Sequence, residues 1–260
     1  MQWWLFSDYD GTLRNGPDGK VDARDLQFVQ EFVAQNQLFV IASGRPYEQM
    51  LHEMKNLKIQ SSFYLTNAGA IIRDQDGKLL YQCVLPNPDR DVIIDYLANQ
   101  ELHSLIYATP LEEFYLFTTN PSYYEDGQLK RKITNYSFAD LKSFDLVCFK
   151  IQEVQEKLDQ ITLDVQRIAP NLTIIRNNDS DVLEIHPPNS SKLHAIQVLQ
   201  KMFGVADDQV VVVGDDHNDV GMIEYFEHSF VINQPYNKAI QPLATHKINH
   251  LFEIKNFLKK

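Results

Sequence analysis

The sequence predicts an α/β protein: a Rossmann-like parallel-sheet core domain built from both ends of the chain, with an α+β domain inserted through its middle. Three observations predict it. Short apolar runs alternate with segments of helical period as far as Thr66, and the alternation returns after Pro187-Pro188, as it does in βαβ units. From Ala70 to Val84 two β-like runs flank Asp74-Gln75-Asp76-Gly77 and break that rhythm, which is a hairpin signal. Several apolar runs also stop abruptly in polar residues, and strands of open α/β sheets carry their ligand-binding groups at such carboxyl ends.

The elements follow in order. Trp3-Trp4-Leu5-Phe6 reads as a buried strand that ends in Asp8-Tyr9-Asp10, with Gly11 where the backbone can turn. Leu26, Phe28, Val29, Phe32 and Val33 recur at helical spacing between Val21 and Gln35. A strand at Leu38–Ala42 ends in Ser43-Gly44-Arg45, a helix follows from Pro46 to Lys55 with proline in its first turn, and Phe63-Tyr64-Leu65 ends in Thr66-Asn67. The inserted block holds helices near 90–99 and 153–168, with strands around 104–107, 113–117, 146–151, 172–176 and 182–185. After it come a helix over 191–203, the strand Val210–Val213 ending in Gly214-Asp215-Asp216, the strand Phe230-Val231-Ile232 and a short helix from Leu251 to Leu258. Four successive valines suit a strand buried on both faces. The expected domains are 1–85 with 186–260, and 86–185.

Composition narrows the function. A formal net charge of −11 argues against a general nucleic-acid binder, which needs a basic face to neutralise phosphates. It leaves room for a small phosphate held by a metal and one or two well-placed cations. Cys83 and Cys148, the only cysteines, are too few for a disulfide framework or zinc cluster and read as core residues. No apolar run approaches the ~18 residues of a membrane helix, and the N-terminus lacks the basic start and cleavage site of a signal peptide. A cytoplasmic protein with no membrane or nucleic-acid partner is expected.

The polar strand ends carry the chemistry. Alone, any of Asp8, Asp10, Ser43, Thr66, Asp215 or Asp216 reads as a cap or turn residue. In a parallel sheet, however, all these ends converge on one edge. Two acids as close as Asp8 and Asp10 repel unless a proton or cation separates them, and Asp8, Asp10 and Asp215 together offer the oxygen ligands magnesium prefers. Lys192, opening the helix after the insert, is the cation to balance a bound phosphate. His186 and His217 have no partner at ligand spacing, and a hard octahedral site favours oxygen over imidazole.

The chain resembles the haloacid dehalogenase superfamily of aspartate-nucleophile phosphohydrolases. Asp8-Tyr9-Asp10-Gly11-Thr12-Leu13 is similar to its first motif, Ser43 in Ala42-Ser43-Gly44-Arg45 to the second, Lys192 to the third, and Gly214-Asp215-Asp216-His217-Asn218-Asp219 to the fourth. The insert and Thr66-Asn67-Ala68-Gly69-Ala70 resemble the Cof-type subgroup with its α/β cap (class IIB). Two positions depart from that pattern: Ala68 follows Asn67 where glycine is usual, and Leu193 follows the lysine where glycine is common.

The resemblance implies Asp8 as nucleophile, Asp10 as acid and base, and magnesium held by the side chains of Asp8 and Asp215 and the backbone carbonyl of Asp10. It implies phosphate binding by Ser43, Gly44, Lys192 and Asn218, with Asp219 supporting Lys192 or a metal-bound water. Asp216 either tunes the metal site or caps the helix that follows. Arg45 is a candidate substrate contact, and some aromatic residues of the segment 107–124 could read substrate, although most are expected in the core. The implied function is a magnesium-dependent phosphatase acting on a small phosphomonoester, a sugar phosphate or phosphorylated cofactor, through an aspartyl-phosphate. A cap over the site excludes large substrates, so the partner is a small phosphorylated metabolite and the protein a monomer or weak homodimer. A sugar phosphomutase and a non-catalytic sensor of phosphorylated metabolites are the alternatives.

Overall fold

The computed structural model describes residues 2–119, 132–176 and 181–258. The chain forms two compact units, Met1–Tyr81 with Ser191–Lys260, and Gln82–Ser190. The first begins with β1 (Trp4–Ser7), α1 (Ala23–Ala34), β2 (Leu38–Ala42), α2 (Tyr47–Leu57) and β3 (Phe63–Thr66), then a hairpin of β4 (Ile71–Asp74) and β5 (Leu79–Gln82). The second holds α3 (Asn87–Leu97), β6 (Ser104–Ala108), β7 (Glu113–Thr118), β8 (Lys132–Ile133), α4 (Phe138–Leu141), β9 (Cys148–Gln152), α5 (Gln155–Ile168), β10 (Thr173–Arg176) and β11 (Val182–His186). The chain returns to the first unit with α6 (Lys192–Phe203), β12 (Val210–Gly214), α7 (Val220–Tyr225), β13 (His228–Ile232) and β14 (His246–Ile248).

The first unit is an eight-stranded sheet in the order β14-β13-β12-β1-β2-β3-β4-β5. It is parallel from β14 to β3, and β4 runs antiparallel to β3. Alternate residues of the central strands supply two cores. Leu5, Phe39, Ile41, Val211 and Val213 pack with Phe28, Val29 and Phe32 of α1 and Met50 and Met54 of α2. Phe6, Val40, Ala42, Val210 and Val212 pack on the other face with Ala195, Ile196 and Leu199 of α6 and Met222 of α7. Helices on both faces explain why these strands read as unbroken apolar runs.

The second unit is a six-stranded sheet in the order β10-β11-β9-β6-β7-β8, antiparallel except for β7 with β8. One face packs Leu105, Tyr107, Leu116, Phe149, Ile151, Leu183 and Ile185 against α3 and α5. The alternate positions carry charge: Lys150 Nζ lies 2.7 Å from Glu113 and 3.7 Å from Glu184, and Glu184 lies 2.7 Å from His186 Nε2.

Several local expectations shift. Pro46 is the N-cap of α2, in extended backbone, and not a first-turn residue; the cap position needs no N–H, so proline costs nothing there. The last segment is a 3₁₀ helix over Leu251–Asn256. Cys83 is half-buried just past edge strand β5, whereas Cys148 is buried. Of the aromatic segment, Tyr107 and Tyr115 are buried, while residues 120–124 lie outside the described residues. Ala68 takes a left-handed backbone (φ 53°) directly after Asn67 (φ 50°), so a residue with a Cβ occupies the conformation that favours glycine. Leu193 is used as packing: it joins the core under α6, and a Cβ added at Gly221 would meet it at 3.7 Å.

Candidate active site

The site is assembled where β1 and β12 end. The parallel register sets Ser7 beside Val213, and the Asp8 N–H continues the ladder by donating to the Val213 carbonyl at 3.0 Å. Asp8 and Asp215 therefore leave neighbouring strands together. Gly11 makes the turn that follows (φ 83°), and a Cβ there would lie 2.1 Å from Asp215 Oδ2. Glycine is needed at that point for its conformation and for the room it leaves. Gly214 plays the second part only, because a Cβ would strike the Asp219 carboxylate at 2.3 Å.

Lys192 joins them from the first turn of α6, whose N-cap Ser191 accepts from the His194 N–H. Its ammonium, 1% exposed, lies 2.5 Å from Asp8 Oδ1 and 2.6 Å from Asp219 Oδ1. The other Asp219 oxygen accepts the backbone N–H groups of Asp215 and Asp216, at 3.0 and 3.1 Å. Asp219 thus ties the lysine to the loop after β12. Asp215 is held at both oxygens, by the Thr12 hydroxyl at 2.6 Å and the Tyr236 hydroxyl at 2.5 Å. Asn237 donates to the backbone carbonyls of Asp215 and Ile232, each at 2.8 Å.

The crowding shows in the protonation equilibria. Burial raises the Asp8 carboxyl well above its usual range; Lys192 opposes the shift, and Asp219 and Asp215 add to it. Burial works to lower Lys192, yet Asp219 and Asp8 outweigh it and hold the ammonium above its ordinary range. Burial and then the charge of Asp219 push Asp215 up to about 6, against the pull of the Thr12 and Tyr236 bonds.

Asp8, Asp215 and Asp219 each offer an oxygen within 4.8 Å of the others, a donor set that suits a hard divalent cation. Asp219 is the most fully occupied of the three: one oxygen accepts from Lys192 and the other from two backbone N–H groups. The side chain of Asp10 is not part of this cluster. Arg45 grips it twice, at 2.6 and 2.7 Å, and Arg14 Nη2 lies at 2.5 Å. Arg45 also approaches Glu53 at 3.5 Å, and Glu53 accepts the Tyr9 hydroxyl at 2.8 Å.

Ser43 and Gly44 lie at the end of β2, the strand beside β1. Ser43 is buried, and its hydroxyl oxygen accepts the Arg45 N–H at 3.1 Å. Asn218 sits in the 3₁₀ turn His217–Asp219, with a buried Oδ1 that finds no hydrogen-bond partner among the described residues. Asp216 caps that turn through the His217 N–H at 2.7 Å. His186 lies against Glu184 of the second unit. Sequence reasoning missed Arg14, Glu53, Tyr236 and Asn237. The last two stand in Asn233-Gln234-Pro235-Tyr236-Asn237, whose polar and turn-forming composition signals only a loop.

Comparison with known proteins identifies the family and the fold. The family profile of haloacid dehalogenase-like hydrolases matches residues 5–250. An uncharacterized protein of Mycoplasma capricolum is 30% identical over 269 aligned positions, spanning 98% of this chain and 100% of its own. The 5-amino-6-(5-phospho-D-ribitylamino)uracil phosphatase of Escherichia coli is 23% identical across 86% of this chain and 83% of its own. Among solved structures, a sugar phosphatase of haloacid dehalogenase subclass IIB shares the fold, with a TM-score of 0.82 at 16% identity over 98% of this chain and 99% of that one. With a profile match across nearly its whole length, the chain belongs to the haloacid dehalogenase-like hydrolases.

Proposed function

We propose that this protein is a magnesium-dependent phosphatase that hydrolyses a small phosphomonoester through an aspartyl-phosphate on Asp8. The observation that carries the reading is the placement of Asp8: a buried carboxylate held by Lys192 at 2.5 Å, with Asp215 close by at the same strand ends. The names of the Escherichia coli relative and of the subclass IIB structure support a sugar phosphate or phosphorylated cofactor precursor as the substrate class.

In the first step an Asp8 oxygen attacks phosphorus in line, the ester P–O bond breaks, and Asp10 gives its proton to the departing alkoxide. In the second, water gives a proton to Asp10 and attacks phosphorus, the Asp8–phosphorus bond breaks, and inorganic phosphate leaves. Lys192, Ser43 and the amides beside Gly44 hold the phosphoryl oxygens, and Asn218 helps to place them. Asp219 keeps Lys192 pointed at Asp8. Asp8 and Asp215 would hold the magnesium ion together with the Asp10 carbonyl. When bound, the ion supplies charge neutralisation between nucleophile and phosphate. To serve as acid, Asp10 must let go of Arg45 or Arg14. The unit Gln82–Ser190 acts as the cap that selects substrate, and the protein works in the cytoplasm as a monomer or weak homodimer.

A panel of phosphomonoesters assayed with and without magnesium tests this. Release of phosphate that requires the cation is expected, and Asp8→Asn should abolish it while leaving the fold intact. No turnover of any phosphomonoester, or full activity in Asp8→Asn, would refute the reading.

A further inference from the structure

Asp215 has no freedom left in its side chain, and the residue that completes its confinement is not a core residue. Tyr236 is 50% exposed, so packing does not explain its position. The loop is stitched in place by other bonds. Asn237, 2% exposed, donates to the carbonyls of Asp215 and Ile232, and Gln234 Nε2 donates to the carbonyl of Gly11 at 3.1 Å. These bonds tie the loop after β13 to the ends of both β1 and β12. The Tyr236 hydroxyl is thereby set on Asp215 Oδ2, with the Thr12 hydroxyl on Oδ1. The fit extends to Gly11, where a Cβ would lie 2.7 Å from the Tyr236 oxygen.

We propose that Thr12 and Tyr236 form a clamp that positions Asp215 for a divalent cation, with Tyr236 as a positioning residue that sets the affinity of the site. The proposal rests on the reading that Asp8 and Asp215 hold that cation. Asp215 stands within 4.8 Å of two other carboxylates, and repulsion alone would turn it away from them. Two hydroxyl donors offset the repulsion and lock the rotamer. Each occupies one lone pair of one oxygen, so each oxygen keeps a lone pair for a metal. The clamp thus prepares the ligand without consuming it, as outer partners of metal ligands do. A tyrosine that merely pinned its loop would contribute to folding stability and leave cation affinity unchanged.

The test titrates manganese into the metal-free full-length protein and counts free ion by electron paramagnetic resonance. Wild type, Tyr236→Phe and Asp215→Asn are compared, with melting temperature in chelator as the control for fold. Tyr236→Phe should weaken manganese binding about tenfold at nearly unchanged melting temperature, and Asp215→Asn should remove the site. In turnover, Tyr236→Phe should raise the magnesium concentration needed for half-activation and keep kcat at saturating magnesium. Unchanged or tighter binding by Tyr236→Phe, with binding still lost in Asp215→Asn, overturns the clamp and leaves the metal site standing. No manganese binding by wild type, or equal binding by Asp215→Asn, overturns the metal site and the clamp together. Should Tyr236→Phe fail to fold, Thr12→Val against Thr12→Ser puts the same question to the other donor. Weaker binding with valine alone is expected, and equal affinity in the two overturns the proposal.

Discussion

Two buried lysines, one in each unit, are each set between two carboxylates. Lys192 stands between Asp8 and Asp219, and Lys150 between Glu113 and Glu184. Their surroundings differ. Lys192 opens a helix against the ends of two parallel strands, with both carboxylates within 2.6 Å and a third, Asp215, beside them. Lys150 lies in mid-strand on β9, with one partner at 2.7 Å and the other at 3.7 Å. Among the described residues, only the group of Asp8, Asp215 and Asp219 gathers three acidic or soft ligands closely enough for a metal. A buried ion pair therefore does not by itself mark a catalytic site. The distinguishing feature is the third carboxylate, Asp215, which gives the Lys192 cluster the donor set of a hard cation.

The comparison can be broken or sharpened by experiment. The largest effect is expected at the strand ends. Asp8→Asn should cost more than about 10⁴-fold in turnover, and Lys192→Met about a hundred- to a thousandfold, measured by phosphate release from a reactive phosphomonoester. Lys150→Met should instead appear in stability. It removes the ammonium from beside Glu113, whose side chain is 1% exposed, and the loss of one partner of a buried pair costs about 3–5 kcal/mol, read from denaturant unfolding. If Lys150→Met kept its stability and lost turnover, the two lysines would have the same role and the contrast would fail.

Third in size is a pH effect on the metal-free protein. Folded Asp215 keeps its proton up to about pH 6, whereas an unfolded aspartate releases it near 4. The folded state binds more protons in that window, so stability falls as pH rises through it, by on the order of 2–3 kcal/mol. Burial moves Asp8 in the same direction. The melting temperature in chelator should therefore be higher at pH 5 than at pH 7, and Asp215→Asn should narrow the difference. The smallest change is Ala68→Gly, which relieves a left-handed alanine and should stabilise by at most about 1 kcal/mol in the same denaturant assay.

The strand ends were legible because their signal is local. Four residues of β1 and five of β12 are buried on both faces, so the runs are apolar through Phe6 and Val213 and stop just before their aspartates. Lys192 was legible from its place at the start of the helix after the insert, although a lysine in a first helical turn is ordinarily solvated, and the resemblance then implied its role. Tyr236 was illegible: its relation to Asp215 spans 21 residues and depends on a loop closing against β1. The grip of Arg45 on Asp10 escaped for a related reason, because the two side chains come from separate elements 35 residues apart. Strand β14 escaped because it has three residues, too short to show a period.

The pairing of β1 with β12 also constrains the order of events during synthesis. Residues on the two strands that lie side by side are separated by more than two hundred positions in the chain. The unit Gln82–Ser190 is continuous and can collapse once it clears the ribosome. By then β1 has met β2, but the neighbour on its other side is still to be translated. One edge of a fully buried strand stays open until the last fifth of the chain arrives, and open edges invite wrong pairing. A chain halted before Val210 would thus carry a finished second unit and an unfinished sheet, with Asp8 at the margin of an aggregation-prone strand.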